Sequence, residues 1–173
     1  FIDEAYHEYA MGDGYKTMTH LINTDNKIII SRTASKVHGL AGLRVGYAIS
    51  SPKVASRLKT YLNGSLNVVG LRGAIASYRD DKFQAFSIEK NNQARKIVTD
   101  HLDKRGIAYL PSHTNFIFLK TGMEIQKFQP EMKKYGVIVG RPFSPYTKWC
   151  RLSMAKPEEM KFFNQGLDKV LNI

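Results

Sequence analysis

Apolar positions in this chain fall first in short runs and later in helical stripes, and the change of period divides it. The run Lys27-Ile28-Ile29-Ile30 is β-branched, uninterrupted and too short for a helix, which predicts a fully buried strand over residues 27–31. Phe1-Ile2-Asp3 reads as the end of another strand. A loop carrying Gly12, Asp13 and Gly14 follows it, then a short helix over residues 16–22. A further strand is expected over 44–49, ending at Ser51-Pro52, with helices over 52–61 and 66–79.

Residues 82–105 then form one long predicted helix. Phe83, Phe86, Ala94, Ile97, Val98 and Leu102 supply a partly interrupted apolar stripe, and Gly106 suits a C-terminal cap. Beyond it, strands are expected at 107–110 and 115–119 around a Pro111-Ser112 turn. A helix over 124–135 should stop at Gly136, with strands at 137–139 and 149–154 after it. The last helix has Pro157 in its first turn, followed by Glu158 and Glu159, which suits the helix dipole. Met160, Phe163, Leu167, Val170 and Leu171 make its buried face. The order of elements predicts an α/β fold: an incomplete sheet domain, a connecting helix and a small α+β lobe.

Composition narrows the function classes. The 173 residues are 43% hydrophobic and 24% charged, ordinary for a globular protein, and no stretch approaches the ~20 apolar residues that span a bilayer. The net charge of +11 raises nucleic acid as a partner. However, the lysines and arginines are scattered and often neighbour acids, as in Asp80-Asp81-Lys82 and Asp103-Lys104-Arg105. An anionic cofactor, an acidic substrate or an acidic partner segment accounts for the charge better, so neither nucleic acid nor membrane is expected as a partner. Cys150 is the single cysteine, which excludes an internal disulfide and is expected of a cytoplasmic protein. His7, His20, His38, His101 and His113 lack metal-ligand spacing, so no metal site is expected. The chain opens on Phe1 inside a strand, which leads us to expect a C-terminal fragment of a longer protein.

One constellation carries chemistry. Lys36 leaves the 27–31 strand with Thr33 and Ser35 before it, Gly39, Gly42 and Gly46 after it and Arg44 eight residues on. Asp3 stands at the end of the first strand with Tyr6 three residues further. A lysine near a strand end is usually just solvated, and taken singly each of these residues has a plain reading. Together they match what a carbonyl cofactor such as pyridoxal 5'-phosphate needs: an amine to hold it and later move a proton, an anion for its ring nitrogen, a hydroxyl partner for its ring oxygen, and hydroxyl and guanidinium donors for its phosphate.

Residues 31–47 closely resemble the lysine motif of the fold-type-I, class I/II aminotransferases, and residues 1–6 resemble that family's Asp-x-x-Tyr strand. The resemblance implies Lys36 as the cofactor-bearing lysine, Asp3 as partner of the pyridine nitrogen and Tyr6 as partner of the ring oxygen. It implies Ser35, Arg44 and Thr33 as phosphate ligands. Within the class the chain is most similar to the histidinol-phosphate aminotransferases, on residues 40–47, 111–116 and 136–142. Trp149-Cys150-Arg151-Leu152-Ser153 matches the strand whose arginine binds the substrate α-carboxylate, so Arg151 inherits that role. Arg141 resembles an arginine that reaches the substrate phosphate. The chain departs from the commoner pattern there, with Gly140 before it and Phe143-Ser144-Pro145-Tyr146 after. Asn63 and Asn67 fall where the family places a helix near the active site.

The resemblance further implies amino-acid and keto-acid substrates and a homodimer at full length. It implies that residues 1–80 belong to the large cofactor-binding domain, 81–106 to a connecting helix and 107–173 to the small domain. Family residues that precede the Asp strand complete the cofactor pocket, so this polypeptide alone is expected to be inactive. Decarboxylation of phosphothreonine, carbon–sulfur lysis and a purely binding role are the alternatives.

Overall fold

The computed structural model describes all residues except Asp13, Asp25 and Asn26, so the expected Gly12-Asp13-Gly14 loop lies partly outside the described residues. The chain forms two compact units, Phe1–Ile88 and Glu89–Ile173. In the first, β1 (Ile2–Asp3) leads to a one-turn helix α1 (His7–Ala10) and a 3-10 segment, Met18–Asn23. Strand β2 (Ile29–Thr33), a 3-10 turn at Ala41–Leu43 and β3 (Gly46–Ser50) follow, then helices α2 (Pro52–Lys59) and α3 (Val68–Tyr78). Helix α4 (Asp81–Arg105) contributes its residues up to Ile88 to the first unit and those from Glu89 to the second. The second unit adds β4 (Tyr109–Leu110), β5 (Phe116–Lys120), α5 (Ile125–Lys134), β6 (Trp149–Ser153) and α6 (Pro157–Leu171).

The first unit's sheet is mixed. β1 runs parallel to β2 with Asp3 opposite Ser31, and β3 runs antiparallel to it with Thr33 opposite Gly46. The expectation of a fully buried strand is corrected here, because Ile30 alone in β2 is buried. Side chains alternate across a sheet, and the face bearing Ile29, Ser31 and Thr33 is only half covered in this chain.

The second unit has an antiparallel sheet in the order β4-β5-β6. One face, with Ile117, Leu119, Cys150 and Leu152, packs under α4, α5 and α6 through Ala94, Val98, Leu102, Phe128, Met132, Phe163 and Leu167. The expected α4 stripe is therefore half right: Ala94, Val98 and Leu102 are buried, while Phe83 and Phe86 are exposed. Asp168 on α6 ties back to α4 through His101 at 2.7 Å and Arg105 at 2.6 Å. Gly106 and Gly136 end their helices with φ of +65° and +76°, a backbone conformation glycine adopts without steric cost.

No strand forms over 137–139. The Val137 N–H still closes the end of α5 by donating to the Met132 carbonyl at 3.2 Å, so the segment begins as a helix cap rather than a ladder. No described helix is long and apolar enough to cross a membrane.

Candidate active site

Lys36 sits on a turn built from both ends. The Ala34 N–H donates to Val45 O at 3.0 Å and the Leu40 N–H to Ala34 O at 2.9 Å. Gly39, at φ +68°, donates to Lys36 O at 3.0 Å and closes the turn. Ala34 packs inward with Val45 and Ala74, and Val37 is also buried, which leaves Lys36 half-exposed on the other side. Its ammonium lies 5.1 Å from the centroid of the Tyr6 ring.

Two hydroxyls lie beside it. Thr33 Oγ1 accepts from the Ser35 N–H at 3.1 Å and lies 3.2 Å from Val45 O and 2.9 Å from Ser35 Oγ. The Thr33 hydroxyl is thus committed to the turn. Ser35 Oγ is tied into the turn through Thr33 Oγ1.

Arg44 has φ of +55°, uncommon for a side chain of this size, and Nη1 donates to Ala41 O at 2.9 Å. Asn67 straps the preceding residue: Nδ2 donates to Leu43 O at 3.1 Å while Oδ1 caps α3 through the Gly70 N–H at 2.9 Å. Asn67 therefore acts on the backbone beside Arg44. The other asparagine, Asn63, is exposed in the loop between α2 and α3. Asp3 is exposed, and its Oδ1 accepts from the Ala5 N–H at 3.0 Å and Ser31 Oγ at 3.2 Å.

Glu4 escaped the sequence reading. It is buried, and its Oε2 accepts from Arg32 Nε at 3.0 Å and Nη2 at 2.8 Å, while Oε1 accepts from the Met18 N–H at 2.8 Å. Burial opposes its ionisation. The donors Met18, Arg32, Thr17 and Tyr15 overcome that and bring its pKa down to about 2. An acid one residue after Asp3, just past the end of β1 and pointing the other way, was the available signal.

In the second unit Arg151 projects from the face of β5 and β6 opposite the core. Its guanidinium carbon lies 4.1 Å from the Phe116 ring centroid, and its buried Nε has no hydrogen-bond partner among the described residues. Arg141 is exposed, stacks on Phe143 at 4.2 Å and donates from Nη1 to Pro142 O at 3.4 Å. Phe118 gathers Phe143, Tyr146 and Trp149 around it at centroid distances of 5.9, 6.0 and 5.2 Å. Cys150 faces the core, and burial pushes its thiol up to about 12.

The first unit thus carries Asp3, Tyr6, Thr33, Ser35, Lys36 and Arg44, with Lys36 against the Tyr6 ring and Thr33 against Ser35, and the second carries Arg141 and Arg151. The family model for aminotransferase class I and II matches residues 1–163. The chain belongs to this family. Among class I and II aminotransferases it is similar to histidinol-phosphate aminotransferase 2 of Pasteurella multocida, at 34% identity over 99% of this chain and 48% of that protein. The crystal structure of a putative histidinol-phosphate aminotransferase from Erwinia carotovora superposes with a TM-score of 0.93 at 33% identity, over 98% of this chain and 50% of that one. The Sinorhizobium meliloti histidinol-phosphate aminotransferase, in complex with pyridoxal-5'-phosphate, gives 0.84 at 29% identity over 98% and 48%. The chain spans about half the length of the curated relatives it matches, and its fold corresponds to the C-terminal part of these α/β structures.

Proposed function

We propose that the intact protein is a pyridoxal-phosphate-dependent aminotransferase. Its leading substrate pair is imidazole-acetol phosphate with glutamate as amino donor, equivalently histidinol phosphate with 2-oxoglutarate. The observation that carries this is the half-buried Lys36 amine above the Tyr6 ring, on a turn that also presents Ser35 and leads to Arg44. The donor set fits the cofactor. Asp3 is a carboxylate that pairs with no side-chain cation among the described residues, as a partner for a protonated ring nitrogen should be. Tyr6 supplies a phenol, and Ser35 and Arg44 supply phosphate donors with Thr33 bracing them. When bound, the cofactor supplies an electron-withdrawing ring that stabilises negative charge at the substrate Cα.

Lys36 anchors the cofactor and then serves as general base and acid for the Cα proton. The guanidinium of Arg151, with its unpartnered Nε–H, takes the substrate carboxylate, for which a planar fork is the right shape. Arg141 takes the substrate's distal phosphate. Residues 1–80 act as the C-terminal part of the large domain, 81–106 as the connector and 107–173 as the small domain, in a cytoplasmic homodimer.

Borohydride treatment of the full-length protein with cofactor, followed by peptide mapping, tests the reading. The label should sit on Lys36 and vanish in Lys36→Ala, and a panel of amino donors should favour histidinol phosphate over aromatic amino acids. A Lys36→Ala protein that keeps full transaminase activity would sink it.

A further inference from the structure

Two residues past Lys36, His38 is almost fully buried, with 2% of its surface accessible. Its Nδ1 lies 3.0 Å from Ser77 Oγ on α3, and its ring packs 4.0 Å from that of Tyr78. Its Nε2 faces Glu8 Oε1 on α1 at 3.6 Å and makes no hydrogen bond among the described residues. Glu8 also meets His7 Nε2 at 3.3 Å. Of the other ionisable groups near this cluster, Tyr47 lies edge-on to Tyr78 at 5.7 Å and is paired across the sheet with Arg32.

These contacts join two segments that bear proposed site residues. Glu8 stands two positions beyond Tyr6, and His38 two positions beyond Lys36. Helix α1 is a single turn, too short to hold its own shape, so its orientation depends on what packs against it. The Glu8–His38 contact closes a loop running from Tyr6 through α1 to the Lys36 turn, and Ser77 fixes the same imidazole to α3. We propose that His38, held between Glu8 and Ser77, is the positioning residue that sets the Lys36 amine over the Tyr6 ring. This rests on the reading of Lys36 as the cofactor-bearing lysine.

The Glu8 contact favours one tautomer. A carboxylate facing Nε2 favours the proton there, which leaves Nδ1 to accept from the Ser77 hydroxyl. Burial lowers the pKa of His38 and outweighs the raising pull of Glu8 and of the Ser77 backbone, which agrees with a neutral ring. Burial works against the charge on Glu8 as well, yet the hydrogen bonds from His7 and from the backbone at Glu8 keep its carboxyl below the usual range.

The test uses the full-length protein. Ring-nitrogen NMR should show His38 neutral at pH 7 with its proton on Nε2; a proton on Nδ1 would overturn the clasp. His38→Phe keeps the ring volume and loses both nitrogens. It should speed loss of pyridoxal phosphate about tenfold, as expected from one buried polar contact, and shift the pH midpoint of the Lys36-bound chromophore. His38→Gln, which restores an N–H toward Glu8, should recover most of both. Val37→Ala serves as the packing control, with thermal midpoints measured without cofactor. Loss of cofactor from His38→Phe no faster than from Val37→Ala, or no recovery in His38→Gln, overturns the proposal. Should His38→Phe fail to fold, the tautomer and His38→Gln decide alone. A borohydride label that persists in Lys36→Ala sinks the reading of Lys36 instead, and so separates the two failures.

Discussion

Gly140 donates its backbone N–H to the carbonyl of Arg151 at 3.0 Å, and a Cβ built on Gly140 would stand 2.5 Å from that same oxygen and 3.3 Å from the Arg151 Cβ. The glycine that departs from the commoner family pattern is therefore what lets the 137–140 segment lie against β6 at the residue proposed to bind carboxylate. Gly140→Ala should push β6 outward, destabilise the second unit by about 1–3 kcal/mol and raise KM for glutamate about tenfold with a smaller change in kcat. Denaturation curves and steady-state kinetics on the full-length protein check both. An unchanged KM with lowered stability would show that the contact holds the fold and not the arginine.

Arg44 joins an uncommon backbone conformation to a proposed phosphate contact, and substitution separates the two. Arg44→Gly relieves the positive φ, worth about 1 kcal/mol, while removing the cation. Cofactor affinity should fall at least about tenfold and the cofactor-free thermal midpoint should hold or rise. Affinity from absorbance titration and a melting curve decide it.

Glu4 carries a pH-dependent part of the stability. Its pKa falls from an ordinary 4.5 to about 2 on folding. A depressed carboxylate contributes fully above about 4.5, and the contribution drains away as pH falls towards about 2. At neutral pH it amounts to roughly 3 kcal/mol. Glu4→Gln should lose about that much at pH 7 and match the parent near pH 2. Urea denaturation at the two pH values measures the gap, and equal losses at both would rule out ionisation as the cause.

Cys150 should be inert while the second unit is folded, because its thiol is buried and titrates near 12. Iodoacetamide at pH 8 should label it only in denaturant, which mass spectrometry detects.

The elements most legible in the sequence were those with strong periodicity or terminal chemistry. Residues Ala94, Val98 and Leu102 on α4 recur at helical spacing and are buried, and Pro157 with Glu158 and Glu159 opens α6 as their chemistry demands. Val137-Ile138-Val139 misled because β-branched composition measures fit to a pleated surface, and here the Val137 N–H caps α5 and no ladder forms along β6. Phe83 and Phe86 misled because an apolar stripe shows a face without showing what covers it.

At the site, the sequence alone determined which chemistry-bearing residues are present, a lysine after two hydroxyls and before three glycines, an arginine eight positions on and an Asp-x-x-Tyr segment, and the resemblance of that set to a known motif pointed to the family. Only the tertiary structure decided how they are held. It brought Lys36 to Tyr6, bound Thr33 into the turn against Ser35 and Val45, and set Asn67 against Leu43 O. It also buried Glu4 on Arg32 and His38 between Glu8 and Ser77. Those relationships join residues up to 39 positions apart, as His38 and Ser77 are. Hydrogen bonds depend on distances of a few ångströms, which one-dimensional spacing does not encode.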